Sequence, residues 1–187
     1  PAGLRTALVD LIGGQARPGG AIAIKVNHLV DRGIIAELCA ASQAGAEVDL
    51  VVRGTCCLRP GIRGRSEGVR VRSIIGRYLE HSRIFRFGRG PDARHLIGSA
   101  DLMPRNLDER IEALAPVVDP ALRARLDEIL ELALADDVLA WDLRPDGTWR
   151  RPAGTRGHDL QEALATAARE PEEPGSRAAG KFIPTAR

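Results

Sequence analysis

An α/β fold is predicted by three features of this 187-residue sequence. AIAIKVN (21–27) and EVDLVVR (47–53) are continuous apolar runs of strand length, each ending in polar residues. Between them, Ile34, Ile35, Leu38, Cys39 and Ala41 recur near helical spacing. That stretch starts at Asp31, a good N-cap, runs to about Ser42 and stops short of Gly45, a residue suited to the position past a helix end. Strand, helix, strand is a βαβ unit, and such a connection is expected to be right-handed.

The remaining elements follow in order. Residues 3–11 read as the end of a helix begun upstream, and Gly13, Gly14, Pro18, Gly19 and Gly20 mark a loop after it. The loop 54–68 follows the second strand and is rich in Gly and Arg. RVRSII (70–75), IFRFG (84–88) and ARHLIGSA (93–100) read as strands, with GRGPD (88–92) as a turn. A second unit begins with RIEALAPV (110–117) as a strand. Asp119 and Pro120 are suited to N-cap and first-turn positions of a helix through about Ala135. VLAWDLRP (138–145) and TWRR (148–151) flank the turn PDG as a hairpin. The pattern then weakens: residues 157–169 suit a short helix, and the composition of 169–187 predicts a disordered tail. The expected organisation is an upstream helix and loop over 1–20, a main domain over 21–152, and a short helix with tail over 153–187.

Composition excludes several classes of function. With 44% hydrophobic and 28% charged residues, one core can form. Three Phe, two Trp and one Tyr are too few for a base-stacking surface, so no nucleic-acid partner is expected. Nowhere is an uncharged apolar run long enough to cross a bilayer, and the first residues lack the pattern of a signal peptide. Cys39, Cys56 and Cys57 cannot all pair, which predicts a reduced, cytoplasmic chain. No Cys or His spacing suggests a metal site.

The net charge of +2 conceals a division. Residues 53–94 carry eleven Arg against Glu67, Glu80 and Asp92, a net +8, whereas residues 95–142 carry a net −7. Only Lys25 and Lys181 are lysine, a preference that codon bias can produce. Codon bias does not cluster charge, however, and the cluster asks for a polyanion, most economically phosphate.

Both apolar strands deliver polar groups at their C-terminal ends, Lys25 and Asn27 on the first and Arg53 on the second. In open α/β sheets ligands bind outside those ends. His81-x-Arg83 is the next signal, followed by Gly98-Ser99-Ala100-Asp101. Strand periodicity would place His81 and Arg83 on one face. A His can act there as nucleophile or acid/base while an Arg holds phosphoryl oxygens. The plain alternative is a surface His in a basic stretch.

The order H-x-R followed by G-S-x-D resembles half of a phospholipase-D-type site. The wider blocks IKVNHLVD (24–31), ASQAGAEVDLVVRGTCCLRPG (41–61), VRVRSIIGRYLEHSRIFRFG (69–88) and IGSADLMPRNLDERIEAL (97–114) closely resemble the C-terminal part of bacterial polyphosphate kinases of the phospholipase-D-like type. The resemblance runs from about residue 20 to about 145. It implies a phospholipase-D-like α/β sandwich with a mixed, largely parallel sheet. The implied activity is reversible transfer of the terminal phosphate of ATP to inorganic polyphosphate, with Mg²⁺ and a phosphohistidine intermediate. In that family the phosphorylated His lies in an upstream domain, and no residue here matches its context. The isolated chain is therefore expected to be inactive alone, with Mg²⁺ held by the nucleotide and by residues outside it. ATP, ADP and polyphosphate are the implied ligands and a homo-oligomer the implied state of the full enzyme; peripheral membrane association leaves no readable signature.

Two residues take roles from the resemblance. Arg53 of VVRG is similar to the family arginine that binds ATP phosphates, and His81 of LEHSR to a second active-site histidine at the same phosphates. The alternative for Arg53 is a strand-end salt bridge. Lys25 and Asn27 are candidates for the same site. Arg83, Arg105 and Arg59 are candidates for a polyphosphate path, with Arg59 favoured as plain surface charge. Asp101 is expected to orient Arg83 or His81, because a carboxylate repels phosphate. Two rival functions are a noncatalytic module that binds phosphate or polyphosphate, and a phosphodiesterase, which would need two H-x-K motifs.

Overall fold

Near-continuous burial along the two apolar runs, covered on both faces, sets the architecture. A computed structural model of the chain describes residues 2–154 and 156–169; the expected tail beyond them lies outside the described residues. Strand β1 (Ala21–Val26) pairs in parallel with β2 (Glu47–Val52), and β2 in parallel with β3 (Val69–Ile74). Helix α1 (Ala2–Gly13) precedes β1, and α2 (Arg32–Gln43) crosses from β1 to β2. Ile22, Ile24 and Val26 share one core with Val48, Leu50 and Val52, packed against Leu8 and Ile12 of α1 and Ile34 and Leu38 of α2. The Asp31 carboxylate accepts from the Ile34 N–H, as its N-cap position requires. Gly45, just past α2, has φ +97°, a conformation that favours glycine.

Antiparallel strands extend the sheet on both sides. On one side β4 (Ile84–Phe87) pairs with β1, followed by β5 (Arg94–Gly98) and the edge strand β6 (Leu114–Val117). On the other, β3 pairs with β7 (Ala140–Leu143), which forms a hairpin with β8 (Trp149–Arg150). The order is β6-β5-β4-β1-β2-β3-β7-β8, a mixed sheet that is parallel through its centre. Pro116 sits on the edge strand, where a missing ladder donor costs least.

The second face is covered by α3 (Pro120–Ala135) and α4 (Leu160–Ala167). Ala23 and Ile84 pack with Leu130 of α3, and Val51, Ile74 and Ala140 with Ala133 of α3 and Leu160 of α4. Polar anchors fix α3 as well. Arg72 on β3 donates to the Leu134 and Asp136 carbonyls at its C-terminal end, satisfying groups that have no helical partner. Buried His95 lies 2.7 Å from the Asp127 carboxylate of α3, which also accepts from Arg86 at 3.0 Å. Helices on both faces of one sheet make the expected α/β sandwich.

Two local expectations need correction. The strand expected over 110–117 is paired only over Leu114–Val117. Before it, Arg105–Glu109 forms a π-helical turn, closed by the Arg110 N–H on the Arg105 carbonyl at 2.9 Å. Ile111 is wholly exposed, so its apolarity does not report a core face. His81 and Arg83 also lie outside a strand: β4 starts at Ile84, and the two residues occupy the loop before it. Their proximity comes from direct contact instead of strand periodicity.

Candidate phosphate-binding site

Topology collects the sequence signals at one edge of the sheet. β1 and β2 are parallel, so Lys25, Asn27 and Arg53 emerge at the same end. β4 is antiparallel to β1, with Lys25 opposite Ile84, which brings residues 80–83 to that end. β5 is antiparallel to β4, with Ile84 opposite Ile97, which brings Ser99 and Asp101 there too. The loop after β1 is stapled between its neighbours: the Leu29 N–H donates to the Thr55 carbonyl and the Leu102 N–H to the His28 carbonyl.

Arg53 is half-buried, and its Nε donates to Asn27 Oδ1 at 2.9 Å. Among the described residues no carboxylate pairs with it, so the strand-end salt bridge is not found. The backbone pairing of β1 with β2 continues past both strands, through Arg53 N–H to the Val26 carbonyl and Gly54 N–H to that of Asn27. Glycine is needed at 54, because a Cβ there would fall 2.7 Å from His28 Cε1 and 3.0 Å from the Asn27 carbonyl oxygen. Asn27 is 1% exposed, and its Nδ2 is buried without a hydrogen-bond partner among the described residues. Such an orphan donor is unusual in a native interior.

Asp101 organises the other wall. Buried, it accepts from the Asn27 backbone N–H at 2.7 Å and from the Arg83 guanidinium at 3.0 and 3.3 Å. Burial pushes its carboxyl up, but the Arg83 and backbone hydrogen bonds outweigh that and hold it below the usual range. Arg83 in turn lies against His81, with Nη1 3.1 Å from Nδ1 and Nη2 3.3 Å from Nε2, and also donates to the His81 carbonyl. Desolvation, then the Arg83 and Arg53 cations, lower the His81 pKa, so the ring is neutral at pH 7. Asp101 therefore orients Arg83 directly and His81 through it.

A cleft of about 460 Å³ opens beside this group, lined among others by His28, His81, Arg83, Ser99, Asp101 and Arg105. Arg105, at the start of the π-helical turn, is exposed and has no carboxylate partner among the described residues. Glu112 also lines the cleft, but Ser99 and Asn106 donate to it and depress its pKa. Arg59 does not line the cleft; its guanidinium lies beside Gly147 in the β7–β8 turn. Lys25 is 4% exposed, with Nζ 3.0 Å from Glu80 and 3.0 Å from Ser82 Oγ. His28, like Asn106, Arg110 and Glu112, is a cleft residue to which sequence reasoning gave no role. The polar end of the first strand was the signal for His28, and its ring nitrogen Nδ1 accepts from the Thr55 N–H at 3.2 Å. A separate cleft of about 390 Å³ is lined by Arg70 and Arg72, but these are already paired with Asp49 and Asp142. Among the described residues no group of three or more His, Cys, Asp or Glu side chains is placed to hold a metal ion.

Known proteins resemble this chain in sequence and fold. The chain is 56% identical over 131 residues to polyphosphate kinase 1 of Chlorobaculum tepidum, an alignment that covers 70% of this chain and 19% of that protein. Its fold superposes on the crystal structure of polyphosphate kinase from Porphyromonas gingivalis with a TM-score of 0.82 and 35% identity, covering 88% of this chain and 26% of that one. Nuc from Salmonella typhimurium, a phospholipase D family member, shares the fold with a TM-score of 0.54 at 17% identity, covering 75% of this chain and 90% of that one. The chain thus spans about a fifth of the length of the curated relatives it matches. The family model described as "Polyphosphate kinase C-terminal domain 2" matches residues 1–162, and the chain belongs to that family.

Proposed function

We propose that this domain holds the phosphates of ATP during reversible transfer of the γ-phosphate to inorganic polyphosphate. One observation carries the reading: Arg53 stands at the joint end of β1 and β2 with its Nε fixed on Asn27 and, among the described residues, no carboxylate to neutralise it. Phosphoryl transfer asks a protein mainly for positioning and for charge that meets the transferring group. A guanidinium oriented through Nε keeps its terminal nitrogens available to phosphate oxygens. The orphan Nδ2 of Asn27 adds a donor beside it. In this reading His81, whose ring feels the Arg53 charge, hydrogen-bonds the same phosphates. An arriving triphosphate opposes the Arg fields that depress its pKa, raising its capacity to give a proton to the departing oxygen.

Mg²⁺ enters with the nucleotide in this reading. The described residues offer it no three-ligand site of their own. The phosphohistidine belongs to the part of the enzyme outside this chain, and the full reaction needs that part.

The test is kinetic, in a full-length polyphosphate kinase carrying this domain. His81→Ala should lower kcat by roughly 10²–10⁴-fold, the usual worth of acid–base assistance, with little change in ATP binding. Arg53→Ala should weaken ATP binding and slow transfer together, because it acts on bound ATP and on the transition state alike. A His81→Ala enzyme with normal kcat and only a raised KM would reduce His81 to a binding residue.

A further inference from the structure

We propose that Lys25 is a positioning residue that fixes the loop carrying His81, and not a phosphate ligand; this rests on the role given to His81 above. A lysine on a strand end beside an arginine invites the opposite assignment. Its surroundings decide the matter. The Lys25 side chain is 5% exposed, and an ammonium has three donors. They are met by Glu80 Oε1 at 3.0 Å, Ser82 Oγ at 3.0 Å and the Ser82 carbonyl at 3.4 Å. These partners are the residues on either side of His81.

The loop is also tied to itself and to its far end. Glu80 Oε1 accepts from the Ser82 N–H at 3.0 Å and from Ser82 Oγ at 2.6 Å. Arg83 is held by Asp101, which in turn accepts from the Asn27 and His28 backbone. Glu80, Ser82 and Arg83 are thus pinned to β1 or to the loop after it, and the His81 ring, between pinned neighbours, is exposed to the cleft.

Charge supports the same division of labour. Burial lowers the Lys25 pKa, opposed by Glu80. Burial would raise Glu80, yet the Lys25 charge and the Ser82 hydrogen bonds bring it to about 2. Glu80 is therefore a carboxylate at neutral pH, and its charge favours the ammonium form of Lys25. A phosphate that took Lys25 as its ligand would strip Glu80 of its partner and meet a carboxylate at once. Breaking one half of a buried pair is costly because the other charge stays unpaired. A misplacement of about 1 Å at a reacting group can cost about 10²-fold in rate, so a loop latch bears on catalysis without touching substrate.

The experiment uses a full-length polyphosphate kinase with this domain. Lys25→Met, Glu80→Gln and the double variant are each made in the parent and in a His81→Ala background. Steady-state kcat and the KM for ATP are measured. In the parent, each single change should lower kcat by about 10–100-fold with the KM for ATP within about two-fold. The double variant should be no slower than the slower single, because both remove one interaction. In the His81→Ala background neither change should slow the enzyme further. A raised KM in Lys25→Met beside a normal Glu80→Gln enzyme would make Lys25 a phosphate ligand and overturn the proposal. A Lys25 effect that persists undiminished without His81 would also overturn it, while leaving the His81 assignment intact. Near-normal turnover of His81→Ala itself would overturn both. Should Lys25→Met fail to fold, Glu80→Gln and Ser82→Ala carry the same test: a kcat loss at constant KM supports the latch, and parent-like kcat in both refutes it.

Discussion

Arg53 and Lys25 begin as similar cations at neighbouring strand ends and finish with opposite tasks. Arg53 meets a neutral amide, which on the proposed reading leaves its charge for a ligand; Lys25 meets Glu80, which ties its charge to the loop. The second arrangement has a signature in acid. The Glu80 pKa, about 2 in the folded chain, lies below its ordinary 4.5. A depressed carboxylate stabilises the folded state fully above its unfolded pKa, and that contribution is lost as pH falls through the folded one. The stability difference between the parent chain and Glu80→Gln should therefore be largest above about pH 4.5 and vanish toward pH 2. Urea unfolding followed at several pH values reads this directly. A difference that is constant across the window would mean that the Lys25–Glu80 pair adds nothing to stability.

The local sequence was a good guide to elements whose cause is local. Asp31 and Asp119 cap α2 and α3 where their spacing predicts, and the apolar runs of β1 and β2 need only their own burial. Elements fixed by distant partners were hidden. The π-helical turn at Arg105–Glu109 is anchored by Asp108 to Arg5 of α1, 103 residues earlier, which also bridges Asp31. No periodicity within RNLDERIEAL carries that information, and the polar–apolar alternation there imitates a strand. Likewise the position of His81 depends on Lys25 and Asp101, which lie on other elements. Packing of α2 can be tested alone: Leu38 is wholly buried between α2 and the sheet. Leu38→Ala should destabilise the chain by about 2–5 kcal/mol, measured by chemical denaturation. A loss below about 0.5 kcal/mol, the range of ordinary surface changes, would show that α2 is not packed as described.

At the scale of the molecule, the uneven charge along the chain is partly the two halves of its ion pairs. Of the eleven arginines in residues 53–94, Arg83, Arg86 and Arg72 pair with Asp101, Asp127 and Asp142 of the acidic stretch, and Arg70 and Arg89 with Asp49 and Glu47. A count of charges could not distinguish paired from available cations, so the net +8 overstated the basic surface. Polyphosphate binding should still weaken as salt rises, because Arg53 and the exposed arginines act through screened charge. Binding measured calorimetrically at low and high salt checks this, and affinity independent of salt would remove the electrostatic account.

On the proposed reading, phosphate is held where β1 and β2 end, between Arg53, Asn27 and His81. Titration of the isotopically labelled chain with ATP, followed by NMR, tests it most directly. The Arg53 guanidinium, the Asn27 side-chain amide and the His81 ring should shift first and together, with the His81 pKa rising as the triphosphate binds. Shifts confined to Arg59, Arg63 and Arg65 of the loop before β3, with Arg53 and His81 unmoved, would contradict it.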